Sequence, residues 1–365
     1  TAFERYIANP LFAWNTSIGQ WSNLTDFPVY DLKPERTNSF EVGMNMRFLK
    51  NFELDVTYYN AKTMNQTFNP ELPVGEYARI YIQTGAVRNQ GLELALNYNN
   101  TWKDFTWNTG VTYSMNKNKI LTLADNAINP ITHEKFSISS LNMGGLGSTR
   151  FILKEGGSMG DIYSLMDLKR DANGAVYIDE NNSVVTESLE ANNYIKLGSV
   201  LPKGNLAWRN NFSWKNINVA FLVSARLGGV VFSRTQAVLD NFGVSEASAA
   251  ARDKGYVSVN GNDRVNPEGW YSVVAGGTAV PQYYIYSATN IRLQEASIGY
   301  TIPRKWLGNV CDIKVSLIGR NLWMIYNKAP FDPESVASTD NFYQGIDYFM
   351  MPSLRNIGFN LSFKF

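Results

Sequence analysis

The last thirteen residues, Ser353-Leu-Arg-Asn-Ile-Gly-Phe-Asn-Leu-Ser-Phe-Lys-Phe365 (SLRNIGFNLSFKF), alternate between apolar and polar side chains. From Ile357 onward every odd position is apolar, and the even positions between them are small or polar. Because successive side chains of a β-strand point to opposite faces, this period of two predicts a strand with one apolar face. The stretch ends on an aromatic residue of that face.

The same alternation recurs in eight further segments. Near Glu295 the apolar positions change from odd to even, which predicts a β-bulge at that point. The segments are about 9–13 residues long, closer to the ~9–11 residues of a tilted membrane strand than to the ~5–6 of a soluble one. Their length therefore favours an all-β transmembrane barrel over a soluble β-sandwich, which is the alternative. The eight segments are 38–48, 52–60, 90–98, 105–115, 204–214, 217–227, 291–302 and 312–323.

The gaps between these segments alternate strictly between short and long. Outer-membrane barrels have tight periplasmic turns and longer external loops, so the alternation predicts that all long loops lie at one end of an antiparallel barrel. Nine is an odd number and single-chain bacterial barrels have even numbers, which predicts that these residues are the C-terminal portion of a longer chain. The short gaps are 49–51, 99–104, 215–216 and 303–311, and the long gaps are 61–89, 116–203, 228–290 and 324–352.

Charged side chains are confined to one face of the alternating segments. A charge facing lipid at the middle of a bilayer costs roughly 2–4 kcal/mol, so this segregation has a physical cause. It predicts that the apolar faces contact lipid and that the polar faces line the inside of the barrel. The charged residues on the polar face are Glu41, Arg47, Glu53, Asp55, Glu93, Arg209, Arg226, Lys314 and Lys364.

The composition argues against several classes of function. A net charge of +1 lacks the basic face that nucleic-acid binding requires. The single histidine of this sequence, His133, argues against a histidine metal cluster and against a Ser-His-Asp triad, and its single cysteine, Cys311, leaves no intrachain disulfide to expect. The neighbouring carboxylates Glu53 and Asp55 share a wet wall, whereas a glycosidase needs one acid in an apolar pocket. We therefore expect no enzyme.

Six stretches of this chain resemble the SusC/RagA family, the TonB-dependent outer-membrane transporters of Bacteroidota. Their order and spacing carry the resemblance more than any single motif. The stretches are LKPERTNSFEVGMNMRFLKNFELDVTYYN (32–60), RNQGLELALNYN (88–99), LGSVLPKGNLAWRNNFSWKNINVAFLVSARLGG (197–229), NIRLQEASIGYTIPRKWL (290–307), IKVSLIGRNLWMI (313–325) and GIDYFMMPSLRNIGFNLSFKF (345–365).

The resemblance implies a 22-stranded barrel of which residues 1–365 supply the last nine strands and long extracellular loops. The plug and the N-terminal extension with its TonB box would lie outside these residues. The implied function is import across the outer membrane of an oligosaccharide or an oligopeptide. The implied partners are a SusD-like surface lipoprotein, TonB-ExbB-ExbD and outer-membrane lipid, with transporter–lipoprotein pairs forming dimers. Phe365 would be the terminal aromatic that barrel-assembly machinery reads.

Two other functions fit the same pattern. A siderophore or cobalamin receptor would share the barrel but have no lipoprotein lid. A surface barrel that binds or adheres without transport would lack a plug and a TonB box.

The long gaps are rich in aromatic residues, which provide flat faces on which sugar rings stack. Polar neighbours could bind the sugar hydroxyls. The alternative is that these aromatics pack the loops together or against a partner. The residues predicted to contact substrate are Trp270, Tyr271, Tyr283, Tyr284, Asn341, Phe342, Tyr343 and Asp347.

Two loop motifs give weaker predictions. In RDANGAVYIDENN (170–182), Asp171, Asn173 and Asp179 partly match a calcium loop, but Ala175 replaces a carboxylate that Ca²⁺ would need, so a solvated turn is the alternative. No other cofactor or metal is expected. The stretch SEASAAARDKG (245–255) predicts a short helix between an N-cap serine and a C-terminal glycine.

Overall fold

The structure is a computed structural model. It describes residues 12–15, 20–23, 26–27, 34–68, 79–80, 82–128, 134–277, 279–308, 310–338 and 343–364. Three residues with a predicted role, Asn341, Phe342 and Phe365, lie outside the described residues.

Nine strands form one antiparallel sheet, here called the wall, and they confirm all nine predicted segments. Each strand pairs with the next one along the chain, from the first to the last. The wall strands are β1 (Arg36–Phe48), β2 (Phe52–Phe68), β3 (Ile82–Trp102), β4 (Phe105–Thr122), β5 (Gly204–Trp214), β6 (Ile217–Leu227), β7 (Asn290–Ile302), β8 (Asp312–Asn327) and β9 (Asn356–Lys364).

Several wall strands extend further toward the long loops than alternation predicts. The third strand, for example, spans Ile82–Trp102 rather than 90–98. Residues 82–91 continue the ladder, but their sequence has no apolar alternation, so the period-two signal does not reach this part of the strand. Hydrophobic periodicity therefore locates the apolar band of a barrel strand and misses its extension into water. The last strand is shorter than the predicted segment 353–365, because the observed strand begins at Asn356.

The predicted β-bulge is present one residue from Glu295. Leu293 pairs with Val223 and Glu295 pairs with Leu222, so Gln294 has no partner on β6. The neighbouring strand β8 is irregular at the same height, where Asn321 has a left-handed φ of 51°. The extra residue returns the apolar side chains of β7 to the outward face on both sides of the bulge.

The register gives the wall two chemically different faces. One row of directly opposed residues is apolar across eight strands, and a row on the opposite face is mostly polar across the same eight strands. The apolar row is Met46, Leu54, Leu96, Val111, Trp208, Val223, Leu293 and Trp323. The polar row is Gly43, Thr57, Glu93, Ser114, Asn205, Arg226, Asn290 and Asn327.

The apolar face is exposed. Phe40 is 64% exposed, Leu317 55% and Phe359 77%. A soluble sandwich would bury such a face against a second sheet, but no other element of the described part of the chain covers it. Among the described residues, no helix has the length and apolarity needed to cross a membrane.

Three long segments, 123–203, 228–289 and 328–355, fold together at one end of the wall into what we call the loop layer. It contains three α-helices, α1 (Arg234–Asn241), α2 (Glu246–Lys254) and α3 (Pro267–Val274), and 3-10 turns at Ala191–Asn193 and Pro281–Tyr284; a further 3-10 turn, Arg304–Leu307, joins β7 to β8. The short strands of these long segments pair as Ala124–Ile128 with Lys135–Ile138; Ser140–Asn142, Thr149–Lys154, Asp161–Ser164 and Ile195–Ser199 in sequence; Met166–Leu168 with Thr186–Ser188; Val230–Ser233 with Ile285–Ser287 and Ile346–Asp347; and Val257–Val259 with Asp263–Val265. Short strands elsewhere pair as Phe12–Asn15 with Gln20–Asn23 and Asp26–Phe27 with Arg79–Ile80.

The loop layer has a hydrophobic core of its own. Phe151, Ile162 and Phe232 are fully buried in it, together with Ile346 from the third long segment. A second cluster joins Val87 and other inward residues of the wall to the first long segment. Because these segments share buried apolar contacts, the loop layer is a packed structure that holds its surface residues in fixed positions.

The predicted helix 245–255 is confirmed as α2. The Ser245 hydroxyl accepts a hydrogen bond from the Ser248 N–H, and the Ser248 hydroxyl accepts one from the Ser245 N–H, which completes a capping box. Gly255 ends the helix with a φ of 82°, a conformation that glycine adopts without steric cost.

Candidate ligand-binding surface

An open cavity of about 640 Å³ lies on the inward face of the wall. Five strands, β2 to β6, contribute to it, and Glu334 reaches it from the loop layer. Its charged groups are Asp55, Glu93, Arg226 and Glu334. The position of these charges confirms that the polar faces predicted from the sequence share one side of the sheet. Hydroxyls, amides and charges around a cavity of this size can bind a polar ligand through several hydrogen bonds at once.

A buried ion cluster fixes the loop layer to the wall beside this cavity. The guanidinium of Arg292, on β7, lies 2.9 Å from Asp332 and 3.0 Å from Glu334. It also donates a hydrogen bond to Asn290. Asp332 accepts a further hydrogen bond from the hydroxyl of Ser353, just before β9. The cluster therefore holds both ends of the last long segment against the wall.

The environment of Asp332 stabilises its charged form. Burial alone would raise the pKa of this carboxyl, but the hydrogen bonds from Ser353 and Arg292 outweigh burial and hold the pKa below its usual value. Asp332 is therefore ionised at neutral pH.

Two predicted contact residues form an aromatic pair at the surface of the loop layer. The rings of Trp270, on α3, and Tyr283, in the 3-10 turn, meet edge to face with centroids 5.2 Å apart. Trp270 packs on the loop core, while Tyr283 is 40% exposed. Next to Trp270, Tyr271 lines a smaller cavity of about 250 Å³ between the three helices. Of these three residues only Tyr283 is exposed, and their contact with substrate stays a prediction.

Tyr284 has a different environment from its neighbour. It is only 2% exposed, and its hydroxyl donates a 3.0 Å hydrogen bond to Asp240. Burial and the nearby carboxylate both raise the pKa of this tyrosine. Asp240 also accepts hydrogen bonds from Gln236 and Ser245. Tyr284 thus belongs to the loop core, and its predicted contact with substrate stays a prediction.

Asp347 and Tyr343, two further predicted contact residues, also differ in burial. Asp347 is buried and accepts a 2.6 Å hydrogen bond from Ser233, the N-cap residue of α1. Tyr343 is partly exposed, and its ring lies 6.4 Å from that of Phe151. The ring of Tyr343 is thus accessible, whereas Asp347 is held at the start of α1, and contact of either residue with substrate stays a prediction.

The carboxylates of the candidate calcium motif, Asp171 and Asp179, accept hydrogen bonds from the backbone of the turns in which they lie. Asp171 accepts hydrogen bonds from the N–H groups of Asn173 and Ala175, and Asp179 does the same for Asn181 and Ser183. Within the described ranges, no group of three or more His, Cys, Asp or Glu residues is placed to hold a metal ion. Calcium binding here stays a prediction.

Sequence reasoning missed the ion cluster. Arg292 lies next to the bulge, where alternation is lost, and its partners Asp332 and Glu334 lie in an irregular loop 40 or more residues away. The one feature of the sequence that could have indicated the cluster is Arg292 itself, an arginine in a strand whose polar face otherwise carries few charges.

Comparison with known proteins agrees with this geometry. The family model described as "TonB dependent receptor-like, beta-barrel" matches residues 2–220, which is more than half of the chain. The chain belongs to this family of TonB-dependent receptor β-barrels.

Two relatives come from Formosa agariphila (strain DSM 15362 / KCTC 12365 / LMG 23005 / KMM 3901 / M-2Alg 35-1). TonB-dependent receptor P3 is 26% identical, with 94% of this chain and 35% of the relative covered. TonB-dependent receptor P26 is 27% identical, with 91% and 34% covered. The chain therefore spans about a third of the length of the curated relatives it matches.

Solved structures share the fold. The RagAB peptide importer in the open-open state superposes with a TM-score of 0.68 at 16% identity, over 97% of this chain and 37% of that chain. The closed-closed state gives 0.66 at 16% identity, over 97% and 38%. The nine-stranded wall and the loop layer therefore have the fold of about a third of the superposed RagAB chain.

Proposed function

We propose that this chain forms part of the wall and the external loops of an outer-membrane transporter that imports an oligosaccharide. The observation that carries the proposal is the pair of opposed rows, one apolar and outward, the other mostly polar and inward, across eight strands. A sheet with these faces is suited to separate hydrocarbon from a water-filled passage.

The height of the apolar band supports a membrane position. On β3 the outward residues from Leu92 to Trp102 are apolar or aromatic except for Asn100, and they span about 33 Å along the strand at ~3.3 Å per residue. A tilt of ~40° reduces this to a band ~25 Å tall, the height found in outer-membrane barrels. The aromatic residues Trp102 and Phe105 stack at the short-turn end, where an interfacial girdle would lie.

An oligosaccharide suits the chemistry of the inward surfaces. The exposed rings of Tyr283 and Tyr343 and the half-buried ring of Trp270 can stack on sugar rings, and the cavity offers hydroxyls and carboxylates for sugar hydroxyls. Substitution of these aromatic residues therefore tests the proposal.

The test is uptake of labelled oligosaccharides by cells that depend on this transporter. Replacing both Trp270 and Tyr283 by alanine should lower uptake at limiting substrate by about tenfold, equivalent to about 1.4 kcal/mol of lost binding. The control is Trp306→Ala, which removes an exposed aromatic at the short-turn end of the wall. Equal uptake by the double variant and by the control would contradict the assignment of the surface.

An oligopeptide is the second candidate. The RagAB structures of the same fold carry the description of a peptide importer, and the cavity combines carboxylates with a guanidinium, which suits peptide termini. Competition by unlabelled di- to decapeptides in the same uptake assay separates the two candidates.

The proposed partners are a SusD-like lipoprotein that covers the loop layer and the TonB-ExbB-ExbD complex that drives import, with the transporter–lipoprotein pairs forming dimers. Membership in the TonB-dependent receptor family supports energy coupling. Purification of the protein from its outer membrane, followed by mass spectrometry, should recover a surface lipoprotein. Recovery of the protein alone would favour a siderophore or cobalamin receptor. Dissipation of the proton gradient should stop uptake, and uptake that continued would contradict TonB coupling.

A further inference from the structure

Four basic residues lie together at the loop ends of three adjacent wall strands. Lys62 on β2 is directly opposite Arg88 on β3, and Arg88 is directly opposite Lys119 on β4. Lys117 is two residues before Lys119, on the same face of the same strand. We call these four residues the basic ladder.

The basic ladder is on the outward face. Val87 and Ile120 are buried beneath the loop layer, at 3% and 0% exposure. Arg88 and Lys119 are their immediate neighbours along the strands, so their side chains point the other way. Lys62 and Lys117 are exposed.

No carboxylate among the described residues pairs with the ladder. In the part of the chain that the structure describes, none of its four side chains forms an ion pair or a hydrogen bond, and the Nε–H of Arg88 is buried without an acceptor. Like charges directly opposite each other destabilise a sheet. The arrangement is therefore suited to hold an anion from outside the chain.

The position of the ladder indicates what kind of anion this is. On the same outward face, the next row toward the short-turn end of the wall contains Asn60, Gln90 and Lys117, with Gln90 opposite both of the others. The row after that begins the apolar band with Tyr58, Leu92 and Met115. Each row is ~7 Å further along the strands. Lys62, Arg88 and Lys119 thus lie about 14 Å from apolar side chains on the same face, and Lys117 lies about 7 Å from them, at the end where external loops emerge.

We propose that the basic ladder binds the phosphate headgroup of an anionic lipid in the external leaflet. The acyl chains of that lipid lie along Tyr58, Leu92 and Met115. The inference rests on the proposed function, because it requires the outward face of the wall to contact the membrane. A free phosphate would satisfy the cations but would make no use of the adjoining apolar row.

The experiment measures lipid retained by the protein purified in detergent from its own outer membrane. The variant Lys62→Gln, Arg88→Gln, Lys119→Gln removes the three opposed charges. The matched control Lys50→Gln, Lys103→Gln, Lys215→Gln removes three charges from the short turns at the other end of the wall. Native mass spectrometry and a phosphorus assay count the lipids on each protein.

We expect the wild-type protein and the control to retain phosphorylated lipid after detergent exchange. The ladder variant should bind dioleoyl phosphatidic acid more than about tenfold more weakly, because each surface cation contributes appreciably to binding an anionic membrane lipid. Dioleoyl phosphatidylcholine and inorganic phosphate should each fail to raise the melting temperature of the wild type. In detergent without anionic lipid, the ladder variant should melt at the same temperature as the wild type or higher, since repulsion has been removed.

Three results would overturn the inference: equal lipid retention by the ladder variant, stabilisation by inorganic phosphate alone, or a lower melting temperature of the variant without lipid. Failure of the proposed function gives a different result. A protein that does not insert into phospholipid vesicles refutes the membrane position itself, whereas a protein that inserts and transports but retains no phosphorylated lipid refutes the basic ladder alone.

Discussion

Arg292 and Asp332 form a buried ion pair between the wall and the loop layer, with 2.9 Å between nitrogen and oxygen and side-chain exposures of 4% and 10%. Glu334 contacts the same guanidinium from a more exposed position. Removal of one partner of such a pair leaves the other buried and unpaired, which is the costly outcome for buried charges.

The first prediction concerns Arg292. Replacement by methionine should lower the free energy of unfolding by about 3–5 kcal/mol, because Asp332 loses its cation in a buried site. Urea titration of the protein in liposomes, followed by tryptophan fluorescence, measures the change. The control is Arg47→Met, which removes an ion pair to Glu53 that is exposed at 80% and 39% and should cost less than about 1 kcal/mol. Equal costs at the two sites would contradict the role given to the cluster.

The second prediction concerns pH. The pKa of Asp332 is lower in the folded protein than in the unfolded chain, where it is about 3.9. The stability that its charge provides is therefore complete above the unfolded pKa and is lost as the pH falls through the folded pKa. The protection factors for amide hydrogen exchange in residues 328–338, which correct for the intrinsic pH dependence of exchange, should stay high down to about pH 4 and fall below it. In the variant Asp332→Asn the same residues should be less protected at neutral pH, and their protection should change less as the pH is lowered. An acid response identical in both proteins would be inconsistent with this mechanism.

The third prediction separates the two faces of β4. Val111 belongs to the apolar row and Thr112 lines the inward cavity. Val111→Arg should destabilise the barrel in a bilayer by roughly 2–4 kcal/mol, because it places a charge in the middle of the hydrocarbon. Thr112→Arg should cost far less, since the side chain lies in water. The same urea titration compares the two variants. A larger destabilisation by Thr112→Arg than by Val111→Arg would mean that the face assigned to water contacts hydrocarbon instead.

The fourth prediction uses the adjacent tyrosines of the 3-10 turn. Tyr284→Phe removes one hydrogen bond from buried Asp240 and should destabilise the loop layer by about 1–3 kcal/mol. Tyr283→Phe removes only a surface hydroxyl and serves as the matched control. Limited proteolysis of residues 234–277 reports on the loop layer while the wall stays intact. Faster cleavage in both variants would mean that the environments of the two tyrosines are not distinct.

The wall could be predicted from sequence because one physical constraint acts on it throughout. Side chains that alternate between hydrocarbon and water leave a period of two, and Val111, Tyr113 and Met115 follow it without interruption. The same rule located the bulge near Glu295, since one extra residue shifts the phase. It could not find the outer ends of β3 and β4, because strand residues such as Arg88 and Asn118 are beyond the apolar band.

The loop layer was less predictable because its burial depends on contacts between distant segments. Trp270, Tyr283 and Tyr284 look alike in sequence, yet only tertiary packing makes Tyr284 a core residue. The local signals that succeeded were short-range ones, as in the capping serine and terminal glycine of α2. Pairing of Arg292 with Asp332 has no local signal at all.

The most direct test of the alternation is a spin-label scan along β9, from Ile357 to Phe363, with Cys311 and any other native cysteine of the full-length protein replaced by serine so that each introduced cysteine is unique. Collision with oxygen reports contact with hydrocarbon, and collision with a water-soluble nickel chelate reports contact with water. We predict that labels at 357, 359, 361 and 363 respond to oxygen and that labels at 358, 360 and 362 respond to nickel. Uniform accessibility along the strand, or protection of the odd positions from both reagents, would contradict the account.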